Sequence, residues 1–333
     1  MIKRKRIILY LVLIIAISQA IFFGFLLYFN FAGVEKQAEL GVTFSPGQAY
    51  YLGLDPKKVL HSSLTDLGIK KYRFSAYWDK IEQKQGVYDF SQIDWQIDEV
   101  DKEGGEIILA IGRRLPRWPE CHDPDWIKGL SEEKNQENVL SLIRKTIEKY
   151  KDRTVITAWQ IENEPFLSIF GECPAPDPEF LKKEIAMAHS LDNRPIVLTA
   201  SGELSSWTNE AILSDKVGVS LYRTTWNSIL GLFYYPLTPH YYKSRANTLR
   251  LLGKEIFISE LQAEPWERQP LPETPIIEQK ELMNAKMLGE SIKFAKRAGF
   301  NEIYLWGVEW WYWLKNQGDN EMWQMVKNLV NKN

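Results

Sequence analysis

The sequence predicts an α/β protein: a (β/α)8 (TIM) barrel preceded by one N-terminal transmembrane helix. Eight short apolar runs with the composition of β-strands alternate with amphipathic stretches, which is typical of a parallel sheet. Eight is the number of strands that the closed barrel needs. A doubly wound open sheet alternates in the same way. No glycine-rich nucleotide loop follows an early strand, however, so the sequence favours the barrel.

The predicted strands are rich in Ile, Val, Leu and aromatic residues. In chain order they are 40–45, 71–78, 106–112, 155–164, 195–201, 217–224, 255–260 and 302–310. The helices between them have apolar residues spaced three and four apart. The longer ones are predicted at 91–104, 135–150, 177–191, 241–252, 276–299 and 320–330, and two shorter ones at 55–68 and 207–213.

The N-terminus combines cations with a long apolar run. Four Lys and Arg residues at 3–6 precede an uncharged stretch at 7–34, which is longer than the roughly 20 residues needed to cross a bilayer. A cleavable signal peptide, the alternative, has a shorter apolar core followed by a small-x-small site. The pattern favours a signal anchor, with residues 1–34 as cytoplasmic stub and transmembrane helix. Residues 35–333 are then the barrel domain, outside the cytoplasm.

Composition argues against several classes of protein. The formal net charge of -2 gives no reason to expect a nucleic-acid partner. Two Cys and four His are too few for a metal enzyme that uses several such ligands, and no organic cofactor is implied. Trp is abundant, with 13 copies. These indoles either fill the core or present flat rings to sugars, and composition leaves both interpretations open.

Two of the predicted strands end in acids. The fourth ends in Glu162, Asn163 and Glu164, and the seventh ends in Glu260. In a barrel of this kind, catalytic side chains lie at the carboxyl ends of the strands. About three βα units of roughly 32 residues separate Glu164 from Glu260, so the two carboxyl groups are expected to face each other across the barrel mouth. Such a pair can cleave a glycosidic bond, one acting as proton donor and the other as nucleophile.

The segment Trp-Gln-Ile-Glu-Asn-Glu-Pro at 159–165 resembles the fourth-strand motif of the clan A glycoside hydrolases, which are cellulase-like TIM-barrel glycosidases. The resemblance implies that Glu164 is the acid/base and that Asn163 binds the sugar 2-hydroxyl. It also implies that Glu260, which ends the seventh strand in Ile-Ser-Glu-Leu-Gln at 258–262, is the nucleophile.

Three further residues match the pattern of this clan. Arg73, on the second strand, is implied to support the nucleophile. Tyr222, on the sixth, is implied to contact it, with packing as the alternative. Trp306, on the eighth, is implied to form the floor of a sugar subsite. The segments 78–90 and 109–118 also resemble the clan, and the likeness extends over most of the barrel domain.

The resemblance implies a retaining glycoside hydrolase that acts on a β-linked oligo- or polysaccharide by double displacement. The substrate partner is then a carbohydrate, and the other partner is the membrane, through the N-terminal helix. Two alternatives use the same features. One is a membrane-anchored transglycosylase of envelope glycans, and the other is a non-catalytic glycan-binding barrel that has lost one of the acids.

Two glutamates near the expected pair remain ambiguous. Glu264 lies four residues after Glu260 and is the alternative nucleophile, although Glu260 directly ends the apolar run. Strand alternation places Glu162 on the same face as Glu164 and Asn163 on the other. For Asn163 and Glu164 to serve one site, the strand must end or bulge there. Glu162 is then either a supporting acid or a solvated one.

Aromatic residues and cysteines follow the same strand ends. Trp118, Trp126 and Trp266 are predicted to add sugar subsites, and the tryptophan-rich run at 306–313 is either part of the cleft or a lid packed on the barrel. A third possibility for that run is contact with the membrane interface. Cysteines follow the third and fourth strands. Because neighbouring strands place these loops side by side, Cys121 and Cys173 are predicted to form a disulfide, with free thiols as the alternative.

Overall fold

The computed structural model describes residues 10, 13–21, 24, 37–227, 231–266 and 270–331. Eight parallel strands form a closed barrel, which confirms the predicted fold. In chain order the strands of the barrel are β1 (Glu39–Thr43), β2 (Lys71–Ser75), β3 (Glu106–Ile111), β4 (Ile156–Ile161), β5 (Ile196–Ala200), β6 (Lys216–Leu221), β9 (Glu255–Gln262) and β10 (Glu302–Trp306). An antiparallel hairpin of β7 (Thr224–Asn227) and β8 (Gly231–Tyr234) stands apart from the barrel and was not predicted.

Helices surround the barrel. They are α1 (Pro46–Tyr51), α2 (Pro56–Thr65), α3 (Trp78–Ile81), α4 (Ser91–Lys102), α5 (Glu132–Tyr150), α6 (Pro178–Leu191), α7 (Thr208–Leu213), α8 (Pro239–Leu251), α9 (Ile276–Leu282), α10 (Ala285–Arg297), α11 (Val308–Asn316) and α12 (Glu321–Val330). Several begin at side chains that accept a hydrogen bond from the first turn, among them Asp55, Ser131 and Asp177. The predicted helix 276–299 is two helices, because Asn284 caps α10 and so starts a new helix.

The pleat of β2 shows how the barrel sorts its side chains. Tyr72 and Phe74 are fully buried in the large core between barrel and helices. Arg73 alternates with them and therefore points into the barrel, where it is also fully buried. A second apolar cluster fills the barrel interior, and its members come from five strands: Ile108, Ala158, Val197, Phe257 and Tyr304.

The end of the chain corrects one predicted strand. The run 302–310 is a strand only as far as Trp306, because Gly307 adopts a positive φ of 141° and α11 begins at the next residue. Trp310 and Trp311 lie in α11 and are fully buried. The tryptophan-rich run is therefore mostly a core helix. Six Trp residues in total are fully buried and fill the core: Trp78, Trp159, Trp207, Trp310, Trp311 and Trp323.

The predicted anchor falls largely outside the described residues. Of the run 7–34, the structure describes 10, 13–21 and 24. Among the residues it describes, no helix has the length and apolar character that a membrane crossing needs. The transmembrane helix and the boundary at residue 34 remain predictions.

Candidate active site

A cavity of about 810 Å³ opens at the carboxyl ends of the barrel strands. Asn163, Glu164, Ser220, Glu260 and Trp306 line it, and all five lie at or just beyond the ends of barrel strands. Loops after β1, β3, β5 and β9 form its walls. We call this cavity the cleft. The structure thus brings the two predicted catalytic acids into one water-accessible space.

A β-bulge in β9 places Glu260 in the cleft. Val219 of β6 pairs with Ile258, but the next residue, Ser220, pairs with Glu260, so Ser259 is an extra residue in the strand. Strict alternation after Ile258 would put Ser259 inward and Glu260 outward. The extra residue shifts the alternation and aims Glu260 at the barrel mouth, as bulges beside active sites commonly do.

Two donors hold the Glu260 carboxylate. Arg73 Nη1 donates to Oε1 over 2.7 Å, and the Tyr222 hydroxyl donates to Oε2 over 3.0 Å. Glu260 is 6% exposed and Arg73 is fully buried. A charge-assisted hydrogen bond of this kind is short and strong, and it fixes the position of the carboxyl group. Both partners are those that the sequence indicated for the nucleophile.

Arg73 also connects three strand ends. Its Nε donates to Gln160 Oε1 over 2.7 Å, and its Nη2 donates to Asn163 Oδ1 over 2.8 Å. Thr199 donates to the same Asn163 oxygen over 2.9 Å. The guanidinium therefore fixes the position of Asn163 relative to Glu260, which is a rigid arrangement because the planar group donates in fixed directions.

The chain leaves strand geometry just before Glu164. Strand β4 ends at Ile161, and Glu162 and Glu164 have positive φ angles of 57° and 44°. This break in alternation lets Asn163 and Glu164 both reach the cleft, as the sequence required. The Glu164 amide donates to Thr199 Oγ1 over 2.9 Å, and the Ser220 hydroxyl donates to Glu164 Oε1 over 3.0 Å. Strained backbone of this kind is held in place by such contacts.

The two acids have neighbours of opposite charge: other carboxyl groups lie near Glu164, and an arginine contacts Glu260. Burial raises the pKa of the Glu164 carboxyl well above its usual range, and the nearby charges of Glu260 and Glu120 raise it further. Among the described residues, Glu164 has no ion pair like the one that Arg73 makes with Glu260. The site therefore pairs a carboxyl group whose pKa is raised with a second carboxyl group that an arginine and a tyrosine hold in place. Two acids in unlike environments are suited to general acid and nucleophile roles.

Glu264, the alternative nucleophile, has a different environment. Arg117 Nη1 donates to its Oε1 over 2.5 Å, and the Trp306 indole donates to the same oxygen over 2.8 Å. The Arg117 guanidinium also lies over the Trp306 ring, 4.1 Å from its centroid. Glu264 thus belongs to an ion pair at the cleft wall. Trp306 does line the cleft, but a cation covers one face of the ring that was expected to stack on a sugar.

Of the three Trp residues predicted to add sugar subsites, two line the cleft and one does not. Trp118 is 70% exposed at the cleft rim, and Trp266 lines the cleft and packs edge-on against Tyr222. Trp126 packs against Trp78 and donates to a backbone oxygen of Glu82, and it is not among the residues that line the cleft. The prediction of a subsite at Trp126 is therefore wrong, because that ring serves the packing of the loop after β3.

Cys121 and Cys173 are joined in a disulfide with Cα atoms 5.3 Å apart. It links the loop after β3 to the loop after β4. The Glu172 amide adds a hydrogen bond to the Pro119 carbonyl over 2.9 Å. Gly171 lies so close to Glu120 that an added Cβ would stand 2.6 Å from the Glu120 Cβ. These contacts give the cleft a fixed wall beside Asn163.

Glu162 lies behind the cleft. Its carboxylate accepts hydrogen bonds from the Arg113 and Arg114 amides over 2.7 and 2.5 Å. It also interacts with Glu184, and burial raises the pKa of both carboxyls. Of the two interpretations that the sequence left open, Glu162 is therefore the buried supporting acid and not the solvated one.

His122 lines the cleft, and burial lowers its pKa.

Two cleft glutamates were missed by the sequence. Glu120 lies beside Asn163, whose Nδ2 donates to it over 3.2 Å. Glu203 accepts from the Tyr222 amide over 3.1 Å and from the Tyr242 hydroxyl over 2.6 Å. Burial raises the pKa of each to about 7. The position of Glu120 directly before Cys121 was the one available signal, since the predicted disulfide placed that loop at the cleft.

No protein-family model matches the chain. Solved structures similar to it include a β-galactosidase from Halorubrum lacusprofundi, with a TM-score of 0.54, 14% identity and 80% of this chain covered. A second is a GH5_18 protein from Streptomyces cattleya in complex with GlcNAc, with a TM-score of 0.58, 12% identity and 90% of this chain covered. A third is xylanase 10B from Thermotoga petrophila, with a TM-score of 0.57, 13% identity and 88% of this chain covered. The matches cover 52%, 81% and 94% of those three chains, so this chain spans about half the length of the first.

Two of these neighbours are named for glycosidase activities, a β-galactosidase and a xylanase. The barrel fold that the motifs implied is therefore confirmed, and at these identities the likeness establishes the shared fold alone.

Proposed function

We propose that this protein is a retaining glycoside hydrolase that cleaves a β-linked oligo- or polysaccharide, with Glu260 as nucleophile and Glu164 as acid/base. The observation that carries the proposal is the contrast between the two acids in one cleft. Glu260 accepts hydrogen bonds from Arg73 and Tyr222, whereas burial and neighbouring charge raise the pKa of Glu164 well above its usual range. The fold shared with solved glycosidases supports the same reaction class.

In the first step, a Glu260 oxygen forms a bond to the anomeric carbon as the bond from that carbon to the leaving oxygen breaks. Glu164 gives its proton to the departing oxygen. In the second step, Glu164, now ionised, takes a proton from a water molecule. The oxygen of that water bonds to the anomeric carbon and releases Glu260. Two inversions at the same carbon leave the product with the configuration of the substrate.

The remaining predicted residues support these steps. Arg73 and Tyr222 stabilise the negative charge of Glu260 before it attacks and again as it is released, and Asn163 binds the sugar beside the reacting carbon. Trp118 and Trp306 are proposed to contact the sugar chain. Trp118 does so with an exposed ring, and Trp306 with the edge and the face that Arg117 leaves uncovered.

We also propose that residues 7–34 anchor the protein and that the barrel works outside the cytoplasm. The disulfide between Cys121 and Cys173 fits an oxidising compartment. Fractionation of cells that express the full chain tests this. The protein should remain in the membrane fraction after a high-salt wash, and protease added outside should remove the barrel. A barrel that resists protease until the membrane is opened would contradict the proposed orientation.

The catalytic proposal is tested with a panel of chromogenic β-glycosides and polysaccharides. The wild type is compared with Glu164→Gln, Glu260→Gln and the matched control Glu264→Gln. We expect losses of at least about a thousandfold in kcat for the first two, and a smaller loss for Glu264→Gln. NMR of the first product should show retention. Azide rescue then assigns the roles, because azide gives the β-glycosyl azide with Glu164→Ala and the α anomer with Glu260→Ala. Near-normal activity of Glu260→Gln would exclude it as nucleophile.

A further inference from the structure

Glu120 is a third carboxyl group at the reacting position. Its Oε2 accepts a hydrogen bond from Asn163 Nδ2 over 3.2 Å and lies 3.6 Å from Arg114 Nε. The charge of Glu120 raises the pKa of Glu164, and the charge of Glu260 raises the pKa of Glu120. The double displacement uses only Glu164 and Glu260, so the mechanism leaves this carboxyl without a role.

The structure holds Glu120 rigidly. Its backbone is in the left-handed region, with a φ of 72°, and its carbonyl accepts a hydrogen bond from the Leu115 amide over 2.8 Å. The following residue is Cys121, which is joined to Cys173, and Gly171 packs directly against the Glu120 side chain. A side chain fixed in this way meets a ligand without a large loss of conformational entropy, as binding groups commonly do.

The position of Glu120 relative to the sugar follows from the proposed function, on which this inference rests. Glu260 bonds to C1, and Asn163 lies between the two catalytic acids because it accepts from Arg73 and directly precedes Glu164. The substituent on C2 is the one next to the reacting carbon. A sugar placed between the acids therefore presents its C2 substituent to the edge formed by Asn163 and Glu120.

Asn163 keeps one N–H donor but no free acceptor for that substituent. Its Oδ1 accepts from Arg73 and Thr199, and its Nδ2 donates to Glu120. Among the described residues, Asn163 and Arg114 are the polar partners of the Glu120 carboxylate, and its second oxygen has no protein donor. The free acceptor at this edge is thus a carboxylate oxygen, which best receives a donor that carries positive charge.

The charge of the cleft points the same way. Among the described residues that line the cleft, six have carboxyl side chains: Asp79, Glu120, Glu164, Glu203, Glu260 and Glu264. Two are Lys or Arg: Lys80 and Arg117. Arg117 is already paired with Glu264. A cleft of this composition attracts cations and repels uronate or sulfate groups.

We propose that Glu120 is a specificity-determining residue that binds the C2 substituent of the reacting sugar and selects an ammonium group there. The substrate class is therefore a glycoside of a 2-amino sugar with a free amine. The pKa of Glu120, raised to about 7 by burial and by Glu260, agrees with this, because an incoming ammonium group would compensate the charge of the carboxylate.

The test compares aryl β-glucosaminide with aryl β-glucoside, and the matching galactosamine and galactose pair, at about pH 7, where Glu120 is partly ionised and most of the amine is protonated. The wild type should show at least about a tenfold higher kcat/KM for the 2-amino sugar than for its 2-hydroxy partner. Glu120→Gln should lower kcat/KM for the 2-amino sugar at least about tenfold more than it lowers kcat/KM for the 2-hydroxy sugar. Glu120→Asp, which keeps the charge, should retain part of the preference.

Glu172→Gln is the matched control, since it removes an exposed carboxylate beside the same disulfide, and it should leave both rates unchanged. Thermal unfolding shows whether each variant is folded. If none of the Glu120 variants folds, the preference of the wild type still decides. A wild type that prefers the 2-hydroxy sugar, or an equal loss on both sugars in Glu120→Gln, would overturn the inference and leave the proposed function intact. Failure to cleave any β-glycoside would instead overturn the proposed function.

Discussion

The two ends of the barrel carry similar charges in different surroundings. Strand β2 points Lys71 and Arg73 to the same side, two residues apart, so that one cation lies at each end. At the end opposite the cleft, Lys71 Nζ lies 2.9 Å from Glu39, 3.4 Å from Glu106 and 3.3 Å from Glu302. At the cleft end, Arg73 contacts the carboxylate and amide groups described above.

Burial separates the two clusters. The side chains of Glu39 and Glu106 are 70% and 54% exposed, whereas Arg73 is fully buried and its partner Glu260 nearly so. Burial alone would lower the pKa of Lys71, but its hydrogen bond with Glu39 and the charges of Glu302 and Glu106 outweigh this and raise it. Two of the three partners of Lys71 are exposed, so water screens the first cluster more than the second and its contribution to the free energy of unfolding should be the smaller one. The second is poorly screened, so each of its members depends strongly on the others.

The largest expected difference between the ends is in catalysis. Arg73→Lys should lower kcat/KM at least about a hundredfold, because an ammonium group cannot donate to Gln160, Asn163 and Glu260 in the fixed directions of a guanidinium. Lys71→Arg, the matched change at the other end, should leave the rate unchanged. Both are measured on the best aryl glycoside of the panel. Equal effects would mean that the contrast between the two clusters does not matter for the reaction.

The next difference is in stability. Arg73→Met should lower the free energy of unfolding by about 3–5 kcal/mol, because it leaves the buried Glu260 carboxylate without a cation. Lys71→Met should cost at most about 1 kcal/mol, since its partners are mostly solvated. Equilibrium urea unfolding measures both values. A penalty for Lys71→Met as large as that for Arg73→Met would show that burial is not the deciding factor.

The pH dependence of stability should come from the cleft end. Burial raises the pKa of Glu120, Glu203 and Glu309 to about 7. In the unfolded chain these groups ionise near 4.5, so between the two values the folded protein binds more protons. The free energy of unfolding should therefore fall as the pH rises from about 4.5 to about 7.

Urea unfolding across this range measures the slope. Glu203→Gln should make it shallower, whereas Lys71→Met should leave it unchanged. A free energy of unfolding that rises over the same range would contradict the raised pKa values. The value of kcat should also fall as the pH rises, because Glu164 then loses the proton that it donates to the leaving oxygen.

The smallest effect is the response to salt. At about 1 M salt the Debye length is near 3 Å, so the contribution of the exposed Lys71 cluster should vanish. The difference in unfolding free energy between the wild type and Lys71→Met should then approach zero, while the penalty of Arg73→Met should persist. A salt-sensitive Arg73 penalty would show that water reaches that cluster.

The barrel could be predicted because a strand that is buried on both faces needs a continuous run of apolar residues. All eight such runs in the sequence overlap with a barrel strand. The sequence also indicated that β4 must end or bulge at Asn163, since alternation cannot otherwise bring Asn163 and Glu164 to one site. The bulge that turns Glu260 inward left no comparable trace. One extra residue in a pairing register depends on the neighbouring strand and not on local composition.

Contacts between distant loops were the main omission. Glu120 and Glu203 lie on loops, where no periodicity reports which way a side chain points. Arg117 covering Trp306 joins the loop after β3 to the end of β10, which are far apart in the chain. The run of tryptophans was ambiguous for another reason. Indole rings suit both cores and sugar sites, and only the turn at Gly307 decides that most of them enter a core helix.

If residues 7–34 anchor the protein as proposed, the direction of β1 would determine how the cleft is oriented to the membrane. Its first residue, Glu39, lies at the end of the barrel opposite the cleft, and only residues 35–38 separate it from the proposed anchor. Four residues reach at most about 14 Å. The Lys71 end would then rest close to the lipid surface, and the opening would face the exterior. Such a protein would reach polysaccharide strands that stand away from the bilayer more readily than sugars on lipid headgroups.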